Sequence, residues 1–267
     1  MLKPGEGKTA LVTGASSGIG YELAKCFARD GYNLVLVARS ADELRKIAAQ
    51  LTSEFGVSAK VIVKDLSMPA SPQEIFDAVQ ADGITIDVLV NNAGFGTYGT
   101  FSNTNLKDDL EMMQVNMVSP THLTKLFLPG MIARGQGRIL NVASMAAFQP
   151  GPRMTVYCAS KSYVLSFSEA LAEELRGTGV TVTTLCPGPV RTGFAKRART
   201  ERTKAMIRGL FNRIWEPEDV AAVGYHGLMK GKTIVIPGKR YKIAIILVRL
   251  LPRKLTTRAA RMLMEES

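Results

Sequence analysis

Strand-like and helix-like segments alternate along most of this 267-residue chain, and that alternation limits the fold more than any other feature. Segments of strand length, such as the apolar run Asn33–Ala38 and the strand-like Gly137–Val142, are separated by segments with helical spacing, such as Asp42–Glu54. Strands that are apolar throughout are typical of sheets covered by helices on both faces. We therefore predict an α/β fold with a doubly wound parallel sheet.

The predicted elements follow one another without an internal repeat or a low-complexity linker, so we expect a single domain. Residues 1–240 form its body, and 241–267 form a basic, amphipathic helical extension that Pro252 breaks or kinks. Besides the two runs above, strands are predicted at Thr9–Val12, Ala59–Val63, Asp87–Val90, Thr181–Cys186 and Thr233–Ile236. Further helices are predicted at Tyr21–Arg29, Pro72–Gln80, Leu106–Met113 (continuing through Leu128) and Val156–Leu175.

Charge and cysteine content narrow the class of protein. The net charge of +11 lies entirely in residues 196–267, which hold 17 basic and 6 acidic residues, while residues 1–195 are neutral. Without a nucleic-acid recognition motif, this local charge does not predict nucleic-acid binding. The three cysteines form no CxxC pair, and no signal peptide is visible, so we predict a cytoplasmic protein. The two histidines are not grouped with cysteines, so we predict no metal site.

A glycine-rich turn separates the first strand from the first helix. It reads Thr13-Gly14-Ala15-Ser16-Ser17-Gly18-Ile19-Gly20. Glycine lets the backbone approach a pyrophosphate closely, and the start of the next helix presents unpaired N–H groups to the anion. Such a triplet also fits a purely structural turn, but the flanking strand and helix favour dinucleotide binding.

The spacing Thr-Gly-xxx-Gly-x-Gly resembles that of the short-chain dehydrogenase/reductase family. Two later motifs strengthen the resemblance, which covers roughly residues 8–237: Asn91-Asn92-Ala93-Gly94 after the fourth strand, and Tyr157-xxx-Lys161. It implies a Rossmann fold, a nicotinamide dinucleotide, and an oxidoreductase that interconverts a carbonyl and an alcohol. It also implies a homodimer or homotetramer.

The end of the second strand bears on which dinucleotide is bound. NAD-preferring sites place a carboxylate there, whereas this chain has Ala38 followed by Arg39. A guanidinium pairs well with a phosphate, so we predict NADP(H), with NAD(H) as the lesser choice. The alternative for Arg39 is a solvated surface arginine.

Other cofactor contacts are implied by the resemblance alone. Asp65 follows the third strand, where the family contacts adenine, although an aspartate there also fits a turn. The loop after the sixth strand is implied to cup the nicotinamide. The implied cofactor set is Gly14, Ser16, Ser17, Gly18, Ile19, Gly20, Arg39, Asp65, Leu66, Asn92, Ala93, Gly94, Tyr157, Lys161, Pro187, Gly188, Val190 and Thr192.

The chemistry is expected from Tyr157 and Lys161, which share one face of a helix because they lie four residues apart. A nearby ammonium should lower the pKa of the phenol towards working pH, which suits a general acid/base. The resemblance adds Ser144, which binds the substrate oxygen, and Asn116, which completes a proton relay. The neighbouring Ser160 is read as an ordinary helix residue.

The substrate side is less defined. Mostly apolar candidates for a pocket are Phe95, Tyr98, Met145, Phe148 and Met154, which favours an apolar ketone, aldehyde or 3-oxoacyl substrate, although any of them fits a core position. Ala195–Arg213 is interpreted as a lid helix or a solvated helix. The basic extension either docks on the body or on a second subunit, or contacts anionic lipid.

A second class of function stays open at this point. A catalytically silent, dinucleotide-sensing protein could keep the fold without turnover. The intact serine, tyrosine and lysine favour the enzyme.

Overall fold

The computed structural model describes residues 3–194, 198 and 214–264. Within them, seven strands form one sheet: β1 (Thr9–Thr13), β2 (Asn33–Ala38), β3 (Ala59–Val63), β4 (Val88–Asn91), β5 (Gly137–Val142), β6 (Val180–Leu185) and β7 (Ile234–Val235). All neighbouring strands are parallel, in the order β3-β2-β1-β4-β5-β6-β7. The strand order reverses between β1 and β4, and open α/β sheets bind ligands at such a point.

Helices connect the strands and cover both faces of the sheet. Those described are α1 (Gly18–Arg29), α2 (Ala41–Phe55), α3 (Ser71–Ala81), α4 (Leu106–Met113), α5 (Ser119–Ala133), α6 (Thr155–Glu174), α7 (Pro217–Met229), α8 (Lys239–Leu250) and α9 (Arg253–Met264). A π-helical segment, Gln114–Val118, joins α4 to α5. Short 3-10 turns lie at Phe101–Asn103 and Met145–Phe148.

The core consists of two large apolar layers, one on each face of the sheet, and a smaller cluster around Ala143, Val164 and Cys186. Successive strand residues alternate between the two layers, so Ala10 and Val12 of β1 join one layer while Leu11 joins the other. Helices α1, α2 and α7 contribute to the first layer, and α3 to α6 contribute to the second. This arrangement confirms the predicted doubly wound parallel sheet.

Most predicted elements agree with the structure to within a few residues at their ends. The long helix predicted from Leu106 through Leu128 is interrupted by the π-helical segment. Helix α7 was missing from the predicted elements. It packs against α1, where the Tyr225 and Phe27 rings lie 5.0 Å apart and the Tyr225 hydroxyl donates to Asp30 at 2.5 Å.

The C-terminal extension forms two helices that pack on the body, with Pro252 between them as expected. Tyr241 and Ile245 of α8 are buried, and Tyr98 donates a hydrogen bond to the carbonyl oxygen of Met264 at the end of α9. The described helices include none with the length and apolarity needed to cross a bilayer. Apart from Ala198, the predicted lid Ala195–Arg213 lies outside the described residues.

Candidate active site

The glycine turn lies at the end of β1, beside β4, and its shape depends on the absence of side chains. Gly14 and Gly18 have φ values of +64° and +56°, a region that favours glycine. A Cβ on Gly20 would lie 2.2 Å from the carbonyl oxygen of Gly14, and one on Gly18 would lie 2.9 Å from Cγ2 of Thr192. The turn therefore offers a bare backbone cradle before α1, which fits a bound pyrophosphate.

The remaining turn residues complete this cradle. Ser17 precedes α1 with extended backbone (φ −168°), and its side chain makes no capping hydrogen bond. Ser16 and Ile19 are half-buried next to it. Their contacts with a cofactor stay a prediction.

The Asn91–Gly94 segment ties the glycine turn to β4. Asn92 donates from Nδ2 to the carbonyl oxygen of Thr13 at 2.9 Å. The Thr13 hydroxyl accepts from the backbone N–H groups of Asn92 and Ala93 at 3.0 and 3.1 Å. These bonds hold β1 and β4 together where the strand order reverses. The space beyond the carboxyl ends of the strands at this point is called the crevice.

The loop after β6 closes the other side of the crevice. The Pro187 carbonyl oxygen accepts from Met145 N at 2.9 Å, and Val190 forms a parallel bridge with Trp215. A Cβ on Gly188 would lie 2.7 Å from the Tyr241 ring, so α8 packs directly on this loop. Together with the contact between Thr192 and Gly18, these interactions bring the loop to the glycine turn.

Tyr157 and Lys161 are both buried on one face of α6. The Lys161 Nζ atom lies 5.9 Å from the centroid of the Tyr157 ring and donates to the carbonyl oxygen of Val142 at 2.8 Å. A Cβ on Gly94 would lie 3.2 Å from that Nζ. The absence of a side chain at Gly94 therefore keeps space open beside the ammonium.

The prediction that the Lys161 ammonium lowers the pKa of the Tyr157 phenol towards working pH is wrong for the protein by itself. Burial raises the pKa of the Tyr157 phenol, and a hydrogen bond with Ser144 opposes this only in part. Burial also lowers the pKa of Lys161 to about 8. Desolvation is the largest cause of both shifts, because both groups lie in the low-dielectric interior, where each charged form is disfavoured.

Asn116 lies in the π-helical segment and is fully buried. Its side chain accepts from Phe95 N at 3.1 Å and donates to the Phe95 carbonyl oxygen at 2.9 Å. It also donates to Ser160 Oγ at 3.0 Å, and Ser160 donates in turn to the Tyr157 carbonyl oxygen at 2.7 Å. Ser160, expected to be an ordinary helix residue, therefore links Asn116 to the backbone of Tyr157.

Ser144 follows β5 and begins the 3-10 turn Met145–Phe148. Its Oγ accepts from Ala146 N at 3.1 Å, which fixes the side chain at the end of the strand. Ser162 of α6 donates to the Ala147 carbonyl oxygen at 2.8 Å and so ties this turn to the helix that carries Tyr157. Asn116, Ser144, Tyr157 and Lys161 therefore converge at one end of the sheet.

Arg39 and Asp65 lie at the outer end of the crevice, after β2 and β3. Arg39 Nη1 is 3.6 Å from an Asp65 carboxylate oxygen, and both side chains are exposed enough for solvent to weaken the pair. Partial burial works to raise the pKa of Asp65, but hydrogen bonds from Ser67 and the Arg39 charge lower it overall. Leu66 is buried, and its carbonyl oxygen accepts from Ser119 Oγ at 2.8 Å.

Two of the residues predicted for the substrate pocket belong to the core instead. Phe95 and Met154 are buried in the apolar layer that includes α6. Phe194 packs on Tyr157 with ring centroids 5.2 Å apart, a contact that the sequence analysis missed because nothing in the local pattern marks it. Tyr98, Met145 and Phe148 are half-buried.

Comparisons with known proteins identify the family and support the fold. The family model described as short chain dehydrogenase matches residues 8–203. A very-long-chain 3-oxoacyl-CoA reductase from Anas platyrhynchos is 38% identical over 201 residues, which cover 73% of this chain and 64% of that protein. The aligned part is therefore less than two thirds of the relative's own length.

Solved structures match over nearly the whole chain. A short-chain dehydrogenase from Sphingobium yanoikuyae in complex with NADPH has a TM-score of 0.80 and 30% identity, covering 91% of this chain and 93% of that one. A short chain dehydrogenase/reductase from Burkholderia phymatum in complex with NAD also has a TM-score of 0.80, at 29% identity, with coverages of 98% and 97%. The chain belongs to the short-chain dehydrogenase/reductase family, whose fold binds a nicotinamide dinucleotide.

Proposed function

We propose that this chain is an NADP(H)-dependent oxidoreductase that interconverts a carbonyl compound and its alcohol, with Tyr157 as the proton donor in reduction. The observation that carries the proposal is the buried Tyr157–Lys161 pair, which lies beside Ser144 and Asn116 at the end of the sheet. Assembly of all four groups argues against the silent sensor, because a protein that only binds a dinucleotide needs no buried acid.

The chain's own residues account for the handling of the proton. When bound, the nicotinamide supplies or accepts the hydride. The Ser144 and Tyr157 hydroxyls donate hydrogen bonds to the substrate oxygen. Because burial raises the pKa of Tyr157, the phenol keeps its proton until negative charge develops on that oxygen. Lys161 stabilises the resulting phenolate, and Asn116 holds the loop at Phe95 in place.

The preference for NADP(H) rests on Arg39. The residues directly after β2 are Arg39 and Ser40, and no carboxylate stands at either position. Among the described residues, the Arg39 guanidinium forms an exposed and therefore weak ion pair with Asp65. A 2′-phosphate would offer a stronger, charge-assisted partner. The structural neighbours include both NADPH and NAD complexes, so they do not decide between the two cofactors.

The substrate class we propose is a 3-oxoacyl thioester or a comparably apolar ketone or aldehyde. The relative named as a 3-oxoacyl-CoA reductase supports the acyl class, and half-buried Met145 and Phe148 after Ser144 supply apolar contacts.

We also propose a homodimer or homotetramer, since Leu106, Leu110 and Met113 form an exposed apolar face on α4. The cytoplasmic location stays a prediction.

The cofactor proposal is tested with Arg39→Ala. Dissociation constants for NADPH and NADH are measured by fluorescence titration, and NADPH oxidation is followed over ketones, aldehydes and 3-oxoacyl thioesters. Loss of a charge-assisted hydrogen bond should weaken NADPH binding about tenfold to a hundredfold and leave NADH binding unchanged. Arg45→Ala, an exposed arginine on α2, is the matched control. Wild-type protein that binds NADH as tightly as NADPH would refute the preference.

A further inference from the structure

Helix α8 has apolar residues on two opposite faces. One face packs on the body through Tyr241 and Ile245, which are 3% and 5% exposed. The opposite face carries the outer stripe, defined as Ile243, Ile246, Leu247 and Leu250, whose members are between 55% and 76% exposed. Their i, i+3, i+4, i+7 spacing makes one continuous stripe along the helix.

Helix α9 continues the same arrangement. Thr256 and Ala260 are buried towards the body, while Leu255 and Met262 are 51% and 66% exposed. Single exposed leucines are ordinary on protein surfaces, but a continuous apolar stripe indicates an interaction site. In the part of the chain that the structure describes, the outer stripe of α8 and the exposed Leu255 and Met262 of α9 have no covering element.

The charged residues of α8 and α9 indicate which kind of partner covers the outer stripe. Residues 239–264 contain eight lysines and arginines and no acidic residue. In a symmetric dimer formed through this face, the basic residues of one copy would approach those of the other, which is unfavourable. An anionic phospholipid surface instead offers apolar depth for the leucines and isoleucines and negative headgroups for the basic side chains.

We propose that α8 and α9 form a peripheral membrane-binding surface for anionic phospholipid bilayers. The 12 residues of α8 extend about 18 Å, against an apolar bilayer core of about 30 Å, so the helix lies along the interface and does not cross it. The outer stripe enters the boundary between headgroups and acyl chains. Arg240, Lys242, Arg258 and neighbouring basic side chains contact the headgroups.

This position places the membrane next to the active-site loops. The body face of α8 contacts the loop after β6 through Tyr241 and Gly188. Arg249 lies over the Phe148 ring, 5.3 Å from its centroid, in the turn that follows Ser144. A helix diameter of about 10 Å therefore separates these loops from the bound bilayer.

Flotation of the full chain with lipid vesicles tests the proposal. We expect binding to vesicles of phosphatidylcholine with phosphatidylglycerol, and at least about tenfold weaker binding to phosphatidylcholine alone. The variant Ile243→Ser/Ile246→Ser/Leu250→Ser should lose at least about tenfold in affinity for the anionic vesicles. The variant Ile132→Ser/Val223→Ser, which changes exposed apolar residues on α5 and α7, is the matched control.

A second pair of variants tests the charges independently of the apolar stripe. Lys254→Glu/Arg258→Glu should weaken anionic binding at least about tenfold, whereas Lys46→Glu/Lys232→Glu, with the same change in net charge elsewhere on the surface, should weaken it far less. Circular dichroism and cofactor titration verify that each variant folds.

Three outcomes would overturn the proposal. The first is wild-type protein that does not float with anionic vesicles, or that binds neutral vesicles equally well. The second is unchanged binding by the outer-stripe variant. The third is an outer-stripe variant that changes the mass measured by light scattering yet still binds vesicles, which would assign the stripe to a second copy of the chain.

Discussion

Ser160 shows how a residue without a motif can hold a site together. It is fully buried, accepts from Asn116 and donates to the carbonyl oxygen of Tyr157. A serine in a helix ordinarily bonds to its own backbone, so the sequence gives no sign of a partner 44 residues away. The π-helical segment, the loop at Phe95 and helix α6 converge here, and they become neighbours only in the folded chain.

Replacing Ser160 with alanine should destabilise the protein and disturb Asn116. The buried Asn116 amide loses an acceptor, which costs about 1–3 kcal/mol in the free energy of unfolding. We expect kcat to fall with little change in cofactor affinity, and Ser160→Thr to restore part of kcat. Urea unfolding and steady-state kinetics measure both effects. Wild-type stability and kcat in Ser160→Ala would show that this bond contributes nothing.

Lys161 predicts a pH dependence of stability whose sign follows from its burial. Its pKa is about 8 in the folded protein and near the ordinary 10.5 when unfolded. Between these values the unfolded chain keeps a proton that the folded protein has lost, so the free energy of unfolding rises with pH. The gain is complete above the unfolded pKa and is lost as the pH falls through about 8.

The comparison of wild type with Lys161→Met isolates this effect from other titrating groups. Between about pH 7.5 and 9.5, the wild-type free energy of unfolding should rise by about 2 kcal/mol relative to the variant. Urea unfolding of the protein without cofactor provides the measurement. A constant difference between the two proteins would mean that Lys161 titrates as an ordinary exposed lysine.

At the level of elements, the apolar strands were the most predictable part of the chain. Asn33–Ala38, Ala59–Val63 and Gly137–Val142 agree at both ends. The central strand Asn33–Ala38 is the clearest case, because burial on two faces favours continuous apolar residues. The local residue pattern did not predict the π-helical segment, whose Asn116 bonds to Phe95 across the fold. Helix α7 could have been predicted, because Pro217 and the acidic residues after it are helix-start signals.

The shape of the glycine turn predicts that it tolerates no side chain at Gly20. Gly20→Ala places a Cβ against the Gly14 carbonyl oxygen, and backbone atoms there have no flexible side chain to move aside. We expect a loss of about 1–3 kcal/mol in stability and a large loss of cofactor affinity. Gly130→Ala is the control, because its nearest neighbour is the end of the Arg134 side chain. Unchanged NADPH affinity in Gly20→Ala would remove the turn from the cofactor site.

Across the whole molecule, sheet topology brings together residues that are distant in sequence. The strand-order reversal at β1 and β4 juxtaposes the glycine turn with the Asn91–Gly94 segment, and β5 and α6 add Ser144 and Tyr157. The motifs and the family resemblance pointed to these residues, and their roles stay predictions. Their electrostatics were not predictable, because the pKa of Tyr157 depends on how completely the assembled fold excludes water.

Proton donation by Tyr157 during reduction is best tested with NADPH deuterated at C4. Deuterium in the alcohol product is measured by mass spectrometry for wild type, Tyr157→Phe and Tyr163→Phe, a second tyrosine on the same helix. Wild type and Tyr163→Phe should transfer deuterium at similar rates, while Tyr157→Phe should be at least about a hundredfold slower with nearly unchanged NADPH affinity. Transfer by Tyr157→Phe at the wild-type rate would contradict the proposed role.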